Sequence, residues 1–490
     1  MRIAALVLLS LAPLGQAGSP DYFIPAHRVS GIGVERDDIS DDLLDARTDL
    51  MIQSQTFGIM REPQALAGAK RITGSAKLQS LFKQAERDTG VPASLIEAIA
   101  YLESWGDAKA ESPSGPKGIM QISGATARSM GLKVLVSTRY KVTRERILIS
   151  GKGKKARYKT VTHKTPYVVT SRDDRMYPER AIPAAAHYFA GMERKFGGRD
   201  WAIFAYHCGQ GCVGEMMDLT RRARGIPKDK MTVPRMFFSN DPAWNRELYE
   251  AIQQQMQRDW SPTYYFRIMR AQQLLALYRR DPDAFNTLSQ QFRSDFTSNG
   301  IRAPHRLSVW LKREDLIFRT GDDIRLDAGK RLVRALDRPD YLGYSLKVLS
   351  DTPLTAEFLS QGSPSALGAL AYIAFETHRL FDAMKPHDQK FHSLPVTALV
   401  EPEEFSRGKR EGLSHSTGQV FDIDYSGLPP AETEALRFVL NDLGWAGYLG
   451  FVDEDSTNLH IGPSPASRDF FSSVFQESIG KKADELAHQN

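Results

Sequence analysis

Cysteine is scarce in this chain: Cys208 and Cys212 are the only two among 490 residues. Any disulfide is therefore a local staple and not a framework that stands in for a core. Residues four apart on a regular helix hold their Cβ atoms ~5–6 Å apart, beyond the ~3.5–4.5 Å a disulfide needs. Pairing would require the non-helical path that Gly209 and Gly211 permit, so thiols and disulfide both stay open. Long apolar runs are missing after the N-terminus, which excludes a spanning helix of the ~20 residues a bilayer demands. A dominant charge sign is missing too, since 64 Lys and Arg face 59 Asp and Glu, a net +5. With 41% hydrophobic and 25% charged residues, a wholly disordered or fibrous chain is excluded. No repeat in the ~20–50-residue range recurs, which sets aside a solenoid.

What is present is enough chain for about two to four domains. Arg2, the apolar run Ile3 to Leu14 and the small-residue site Gly15-Gln16-Ala17 read as a signal peptide over 1–17. The expectation is a periplasmic or secreted protein with no integral membrane segment after cleavage. A polar lead-in over 18–72 with one helix near Leu43 to Ile52 follows. Leu78, Leu81, Phe82 and Ala85 then recur at helical spacing, and Gly90-Val91-Pro92 breaks that helix. Pro92 opens the next one, with Leu95, Ile96, Ile99 and Leu102 on a face and Glu103 at its end. These elements begin a mainly α domain over 73–235.

An insertion at 133–172 interrupts it. From Tyr140 to Val169, β-branched and basic residues flank Gly151-Lys152-Gly153-Lys154-Lys155, which predicts a basic β-hairpin. It reads as a solvated protrusion or as a positive arm for an anionic polymer. Nucleic acid is not expected, because few aromatics are on hand for stacking and the chain is exported. A helical middle region spans 236–344, and strand-like segments past Pro395 around one helix at Ala431 to Leu443 give a small α+β domain over 345–480. A tail, 481–490, ends the chain.

Glu103 is the first candidate catalytic residue. Glycosidic cleavage needs a proton donor at the leaving oxygen, and a carboxyl walled by Tyr101, Leu102 and Trp105 is poorly solvated, which keeps it protonated. A glutamate at a helix end is by itself usually a solvated surface residue. Here it is followed at fixed spacing by Ser112-Pro113-Ser114-Gly115 and Gly118-Ile119-Met120-Gln121, then Thr126-Ala127, and later by Ala205-Tyr206-His207-Cys208-Gly209.

On those motifs, residues 78–132 and 174–215 resemble the catalytic domain of the soluble lytic transglycosylases, relatives of goose-type lysozyme. The resemblance implies a lysozyme-like fold acting on peptidoglycan without a cofactor. Glu103 would serve as acid on the β-1,4 bond between N-acetylmuramic acid and N-acetylglucosamine. It would then serve as base on the muramic acid 6-hydroxyl, closing a 1,6-anhydro ring. Ser112, Met120 and Gln121 match positions lining the glycan groove, and Tyr206 matches a tyrosine that hydrogen-bonds near the acid. The departure is His207, where the family usually has Asn. Hydrolysis, as in goose-type lysozyme, is the alternative chemistry, with Asp107 or Glu111 placing a water.

A second constellation is Ser414-His415-Ser416-Thr417-Gly418-Gln419-Val420-Phe421-Asp422, with a later Asn458-Leu459-His460. His415, Asp422 and His460 offer two imidazoles and a carboxylate, a set that suits a catalytic zinc. Residues 390–465 resemble the zinc-dependent D-alanyl-D-alanine carboxypeptidases, which implies zinc at these three residues. Two departures stand out. Thr457 occupies the place of the family's general base, with Asp453, Glu454 and Asp455 nearby, and Glu401 replaces an Arg that grips peptide carboxylates. The expected fold class is thus a mainly α, lysozyme-like catalytic domain with a basic hairpin, a helical middle and a metallopeptidase-like α+β domain. A non-catalytic peptidoglycan-binding scaffold is the competing class.

Overall fold

The computed structural model describes residues 41–151, 155, 157–259, 261–293, 317–335, 343–347, 356–384, 390–406, 414–445, 448–453, 457–464 and 467–487. The signal-peptide expectation and Glu454 and Asp455 lie outside them. Up to residue 293 the helices are α1 (Asp41–Met60), α2 (Ala65–Gly74), α3 (Ala76–Thr89), α4 (Ala93–Ser104), α5 (Gly124–Ser129), α6 (Pro178–Phe196), α7 (Arg199–Cys208), α8 (Gln210–Arg222), α9 (Val233–Phe238), α10 (Arg246–Arg258), α11 (Tyr264–Arg280) and α12 (Pro282–Arg293). Two compact units result. One is Pro63–Tyr206 with Ala271–Phe285, and the other comprises Met1–Glu62, His207–Arg270 and Asn286–Asn490.

In the first unit, α4 is the core helix. Leu95, Ile96, Ala98, Ile99, Ala100 and Tyr101 are all buried, more than a single amphipathic stripe would hide. Its neighbour α3 starts where Ser75 Oγ accepts the Leu78 N–H (3.3 Å) and stops at Gly90, with φ +75°. Glu97, buried in α4, is neutralised by Arg279. The lead-in is more helical than expected: α1 is longer, and α2 was not foreseen. The face of α2 that is buried consists of Ala65, Gly68, Ala69 and Ile72, correctly spaced for a helix but too small to give a hydrophobic signal. Strands β1 (Val134–Ser150) and β2 (Arg157–Asp173) pair antiparallel as a two-stranded ribbon.

The second unit holds a five-stranded sheet of order β4-β6-β7-β9-β8, after a small pair formed by β3 (Val333–Arg334) and β5 (Gln361–Gly362). Its strands are β4 (Tyr344–Leu346), β6 (Leu394–Ala398), β7 (Phe421–Asp424), β8 (Leu449–Asp453) and β9 (Asn458–Pro463). Only the β4–β6 pairing is parallel. Strand alternation divides the sheet: Phe421, Ile423, Leu459 and Ile461 join the core with the helices Pro364–Met384, Pro430–Trp445 and Arg468–Ala487. Asp422, Asp424, Asn458 and His460 take the opposite face. The first and last of those helices touch at Gly368, where a Cβ would fall 1.7 Å from the Phe471 carbonyl oxygen. A side chain has no room there.

Candidate active site and metal centre

Glu103 occupies the last turn of α4 and is half-buried. The helix stops one residue later, because Trp105 turns to φ +53° while its N–H still reaches the Tyr101 carbonyl (2.9 Å). Gln121 (φ +44°) is the other non-glycine residue with positive φ among the described residues. Backbone strain of this kind concentrates where surrounding contacts fix a functional geometry, and here both cases fall in the motif around Glu103.

The loop facing this helix end is tied down by three side chains. Ser104 Oγ donates within the Ala100 (3.0 Å) and Ile119 (2.8 Å) carbonyl pair, which joins α4 to the Gly118–Gln121 turn. Tyr206, on α7, donates its hydroxyl to the Met120 carbonyl at 2.8 Å. Burial first, and then the negative charge of Glu103, push the Tyr206 pKa well above its ordinary value. It stays a phenol donor, and Glu103 is near enough to act on it electrostatically.

The third tie is Arg175, which the sequence motif did not single out. Its Nη1 donates to the carbonyls of Gly115 (3.1 Å) and Ile122 (3.0 Å), and its Nη2 to Asp173 (2.6 Å). Both charged side chains are buried, so each needs the other. Gly118 completes the brace: at φ +76°, its Cβ would lie 1.9 Å from the Arg175 carbonyl oxygen. Only glycine fits.

The predicted substrate residues fall into different roles. Ser112 is half-exposed in a tight turn, its Oγ 2.8 Å from that of Ser114. Gln121 donates its Nε2 to the carbonyls of Ala110 (3.1 Å) and Gly118 (2.9 Å), so part of its amide serves the loop. Met120 departs from the expectation of a groove-lining side chain. It is 1% exposed, and what meets Tyr206 is its carbonyl. Asp107 accepts the Lys109 N–H (2.9 Å) and Glu111 pairs with Lys117 (2.8 Å), so both are committed to local structure.

His207, in the second unit, stands 2.9 Å from Ser261 Oγ through Nδ1 and stacks on Tyr264 (4.6 Å, 28°). Cys208 and Cys212 are free thiols. α7 ends between them and Gly209 (φ +85°) redirects the chain into α8.

In the C-terminal sheet, register gathers the second set. Asp422 on β7 lies directly opposite His460 on β9, and His415 comes from a short 3-10 turn, His415–Thr417. Asp422 Oδ1 is 2.6 Å from His460 Nδ1 and 3.2 Å from His415 Nε2. One ligand atom from each of the three residues lies within 4.8 Å of the others. Second contacts fix both rings. His415 Nδ1 sits 2.6 Å from the Leu399 carbonyl, and His460 Nε2 sits 2.9 Å from Ser414 Oγ. Those partners leave His415 Nε2 and His460 Nδ1 turned toward the shared carboxylate, an orientation metal-binding histidines adopt. His415 Nε2 is buried with no well-aligned hydrogen bond, which suits a metal ligand. Burial lowers the His415 pKa, but Asp422 outweighs it and carries the imidazole to about 9. Burial works to raise the Asp422 pKa, but the two imidazoles together outweigh it and hold the carboxyl well below its ordinary range. Thr457, in the place of the base, is half-buried and accepts from Asn458 Nδ2 (3.3 Å).

No helix among the described residues is long and apolar enough to cross a membrane. Residues 80–144 and 156–226 match the family described as the Transglycosylase SLT domain. Over 56 residues, 11% of this chain, the sequence is 46% identical to membrane-bound lytic murein transglycosylase F 2 of Alkalilimnicola ehrlichii. Over 156 residues, 30% of this chain, it is 30% identical to membrane-bound lytic murein transglycosylase F of Alcanivorax borkumensis. Over 135 residues, 27% of this chain, it is 32% identical to peptidoglycan transglycosylase gp16 of Escherichia phage T7. These matches span 12%, 25% and 8% of the relatives' own lengths. Among solved structures, lytic transglycosylase Slt of Pseudomonas aeruginosa is similar over 42% of this chain and 25% of its own (17% identity, TM-score 0.24). The 70-kDa soluble lytic transglycosylase bound to bulgecin A is similar over 50% and 32% (14% identity, TM-score 0.27). Both superpose loosely. The family match thus covers Glu103, the braced loop and Tyr206, and it stops before the C-terminal sheet.

Proposed function

We propose that this protein is a peptidoglycan lytic transglycosylase with Glu103 as its acid and base. The observation that carries the reading is the single half-buried glutamate at the end of α4, next to Ser104, whose hydroxyl ties the helix to a loop that Tyr206 and Arg175 also pin. A glutamate that first protonates the glycosidic oxygen is left as a carboxylate, ready to take the proton of the muramic acid 6-hydroxyl as that oxygen attacks C1. The proton is recovered, no water is consumed, and the product carries a 1,6-anhydro ring. One carboxylate suffices, in keeping with Asp107 and Glu111 being engaged elsewhere. Tyr206 keeps the loop carbonyl in place beside the acid. Mass spectrometry of digests of purified peptidoglycan tests this: anhydro ends are expected, and reducing ends would replace the reading with hydrolysis. Murein zymography with Glu103→Gln separates an enzyme from a scaffold, since unchanged clearing would mean that this glutamate is not the acid.

A second reading applies to His415, Asp422 and His460, favoured by the way β7–β9 register and the ring contacts aim three ligand atoms at one point. They would hold zinc. Bound zinc supplies Lewis-acid chemistry for peptide-bond hydrolysis. The chain's own part is to fix both imidazole orientations through Leu399 and Ser414. A threonine hydroxyl at 457 is no general base at neutral pH, so holding a metal is better supported than cutting a stem peptide. Equilibrium dialysis with metal analysis tests it: one zinc per chain is expected, lost in His415→Ala. Peptide cleavage that survives both chelation and that substitution would exclude a zinc mechanism.

A further inference from the structure

The ribbon of β1 and β2 carries an anomaly that the transglycosylase reading does not use. Eight of the eleven large apolar side chains exposed among the described residues lie on it. At its outer end Ile147, Leu148 and Ile149 are 45%, 51% and 63% exposed in succession, and Tyr158 is 50% exposed. Across the ladder Ile147 faces Lys159, Leu148 faces Tyr158, and Ser150 faces Arg157. Arg146 lies over the Tyr158 ring at 4.7 Å, and Lys155 is exposed at the turn. The one acid near this end, Glu145, is 3.7 Å from His163. Apolar and cationic side chains are thus interleaved on a strand pair that reaches roughly 50 Å from its base. The base is anchored by Asp174, which accepts the Lys133 N–H (2.9 Å) and Arg172 Nε (2.8 Å).

We infer that the outer end of this ribbon docks on an anionic phospholipid surface. Soluble chains seldom leave consecutive large apolar residues in water without a partner to cover them. A bilayer interface satisfies both halves of the pattern: Ile147 with Lys159 and Leu148 with Tyr158 lie on opposite faces of the ribbon, so an outer end entering the interface covers both faces, while the long stems of Arg146, Arg157 and Lys159 let their charges reach the phosphates. A soluble polyanion would meet the cations and leave the apolar side chains wet. A second copy would cover the apolar end but bring two basic ribbons together, against their charge. Nucleic acid would want an uncovered ring for stacking, whereas the ring described at this outer end, Tyr158, already carries Arg146. The proposal stands independently of the chemistry at Glu103.

Vesicle flotation with the full chain tests it, using phosphatidylcholine vesicles with and without phosphatidylglycerol at low and high salt. Binding is expected only to the anionic vesicles. It should fall by more than about tenfold in the triple variant Ile147→Ser, Leu148→Ser, Ile149→Ser. Lys159→Glu should lower it about fivefold or more at low salt. Difference fluorescence of Leu148→Trp against the wild type should shift to the blue on anionic vesicles. All three hydrophobic positions are exposed, so an unchanged melting curve and murein clearing are expected for the triple variant. Three outcomes overturn the proposal: no vesicle binding; vesicle binding that the triple variant retains; or binding to heparin or a DNA duplex, but not to vesicles. Concentration-dependent self-association abolished by the triple variant, without vesicle binding, would assign the ribbon to a second copy instead.

Discussion

The Glu103 region and the His415 region reach a prepared geometry by opposite means. Around Glu103 the reactive group is one side chain, and the machinery lies in backbone: a helix stop at Trp105, a left-handed Gln121, and carbonyls gripped by Ser104, Tyr206 and Arg175. Around His415 the backbone is ordinary sheet, and the machinery lies in side chains that register sets face to face. Under the chemistry proposed for it, the first needs a single reactive side chain, because the substrate supplies the nucleophile. The second suits chemistry in which a bound ion would supply the reactivity. A site of the first kind is lost by deleting one carboxylate or loosening a loop, whereas one of the second kind fails ligand by ligand.

The largest effect should come from the proposed acid, Glu103. Glu103→Gln keeps the shape and removes the titrating proton, so glycan cleavage should fall by about 10²–10⁴-fold. Zinc binding at the other site should not move. Anhydro-muropeptide release, followed alongside zinc stoichiometry, checks both halves. Loss of zinc together with activity would mean that the two regions do not function separately.

Next in size is the brace. Arg175→Met removes the partner of buried Asp173 and frees the Gly115 and Ile122 carbonyls. Leaving such a charge unpaired should cost about 3–5 kcal/mol of stability, read by denaturant unfolding. Asp173 also gives the sign of the acid response. Its burial works to raise the pKa, but Arg175 outweighs this and the carboxyl titrates below its ordinary value. A depressed folded pKa contributes stability above the unfolded value that is lost as pH falls toward the folded one. The wild type should therefore lose stability below about pH 4, and Arg175→Met should lose less of it there.

At the second site His415→Ala should abolish the stabilisation that zinc would confer there. At a hundredfold excess over Kd, that is about 2.7 kcal/mol. A thermal melt with and without zinc reads it, and glycan cleavage should stay at the wild-type rate. Ser414→Ala, which removes only the contact to His460 Nε2, should weaken zinc about tenfold.

How much of this was legible in the sequence follows the same division. The Glu103 motif could be read because its residues are close together and their spacing is fixed by one turn. Arg175 could not: it returns to Gly115 across 60 residues and the whole ribbon, and a lone Arg-Asp pair in sequence reads as solvated surface. Met120 was legible as part of the motif, but not which of its atoms meets Tyr206. The turn exposes its carbonyl to Tyr206 and sends its side chain to the core, and composition does not distinguish the two. The triad His415, Asp422 and His460 was readable as a set of ligand types; the Asp422–His460 register that pairs two of them is a property of the folded sheet. The α2 helix escaped because Ala and Gly bury well but signal weakly. The apolar run Ile147 to Ile149 was not singled out, because its segment reads by charge, as a solvated protrusion or a positive arm.

The smallest expected effect concerns His207, where the family resemblance leads one to expect Asn. Its contacts to Ser261 and Tyr264 make it a structural tie within the second unit, so His207→Asn should cost only about 1 kcal/mol and leave the anhydro product unchanged. Burial, the largest influence, lowers its pKa below the ordinary imidazole value, against a smaller opposing pull from Asp259. The folded chain thus holds the neutral ring, while the unfolded chain takes up a proton once pH drops below about 6.5. That stability is full above the unfolded value, erodes as pH falls from there to the folded value, and is flat beyond it. Melting His207→Asn and wild type across this range should show the slope in the wild type alone. An altered product distribution from His207→Asn would instead mean that this position helps choose the glycan, and the contrast between a braced loop and a structural tie would have to be redrawn with His207 on the side of Glu103.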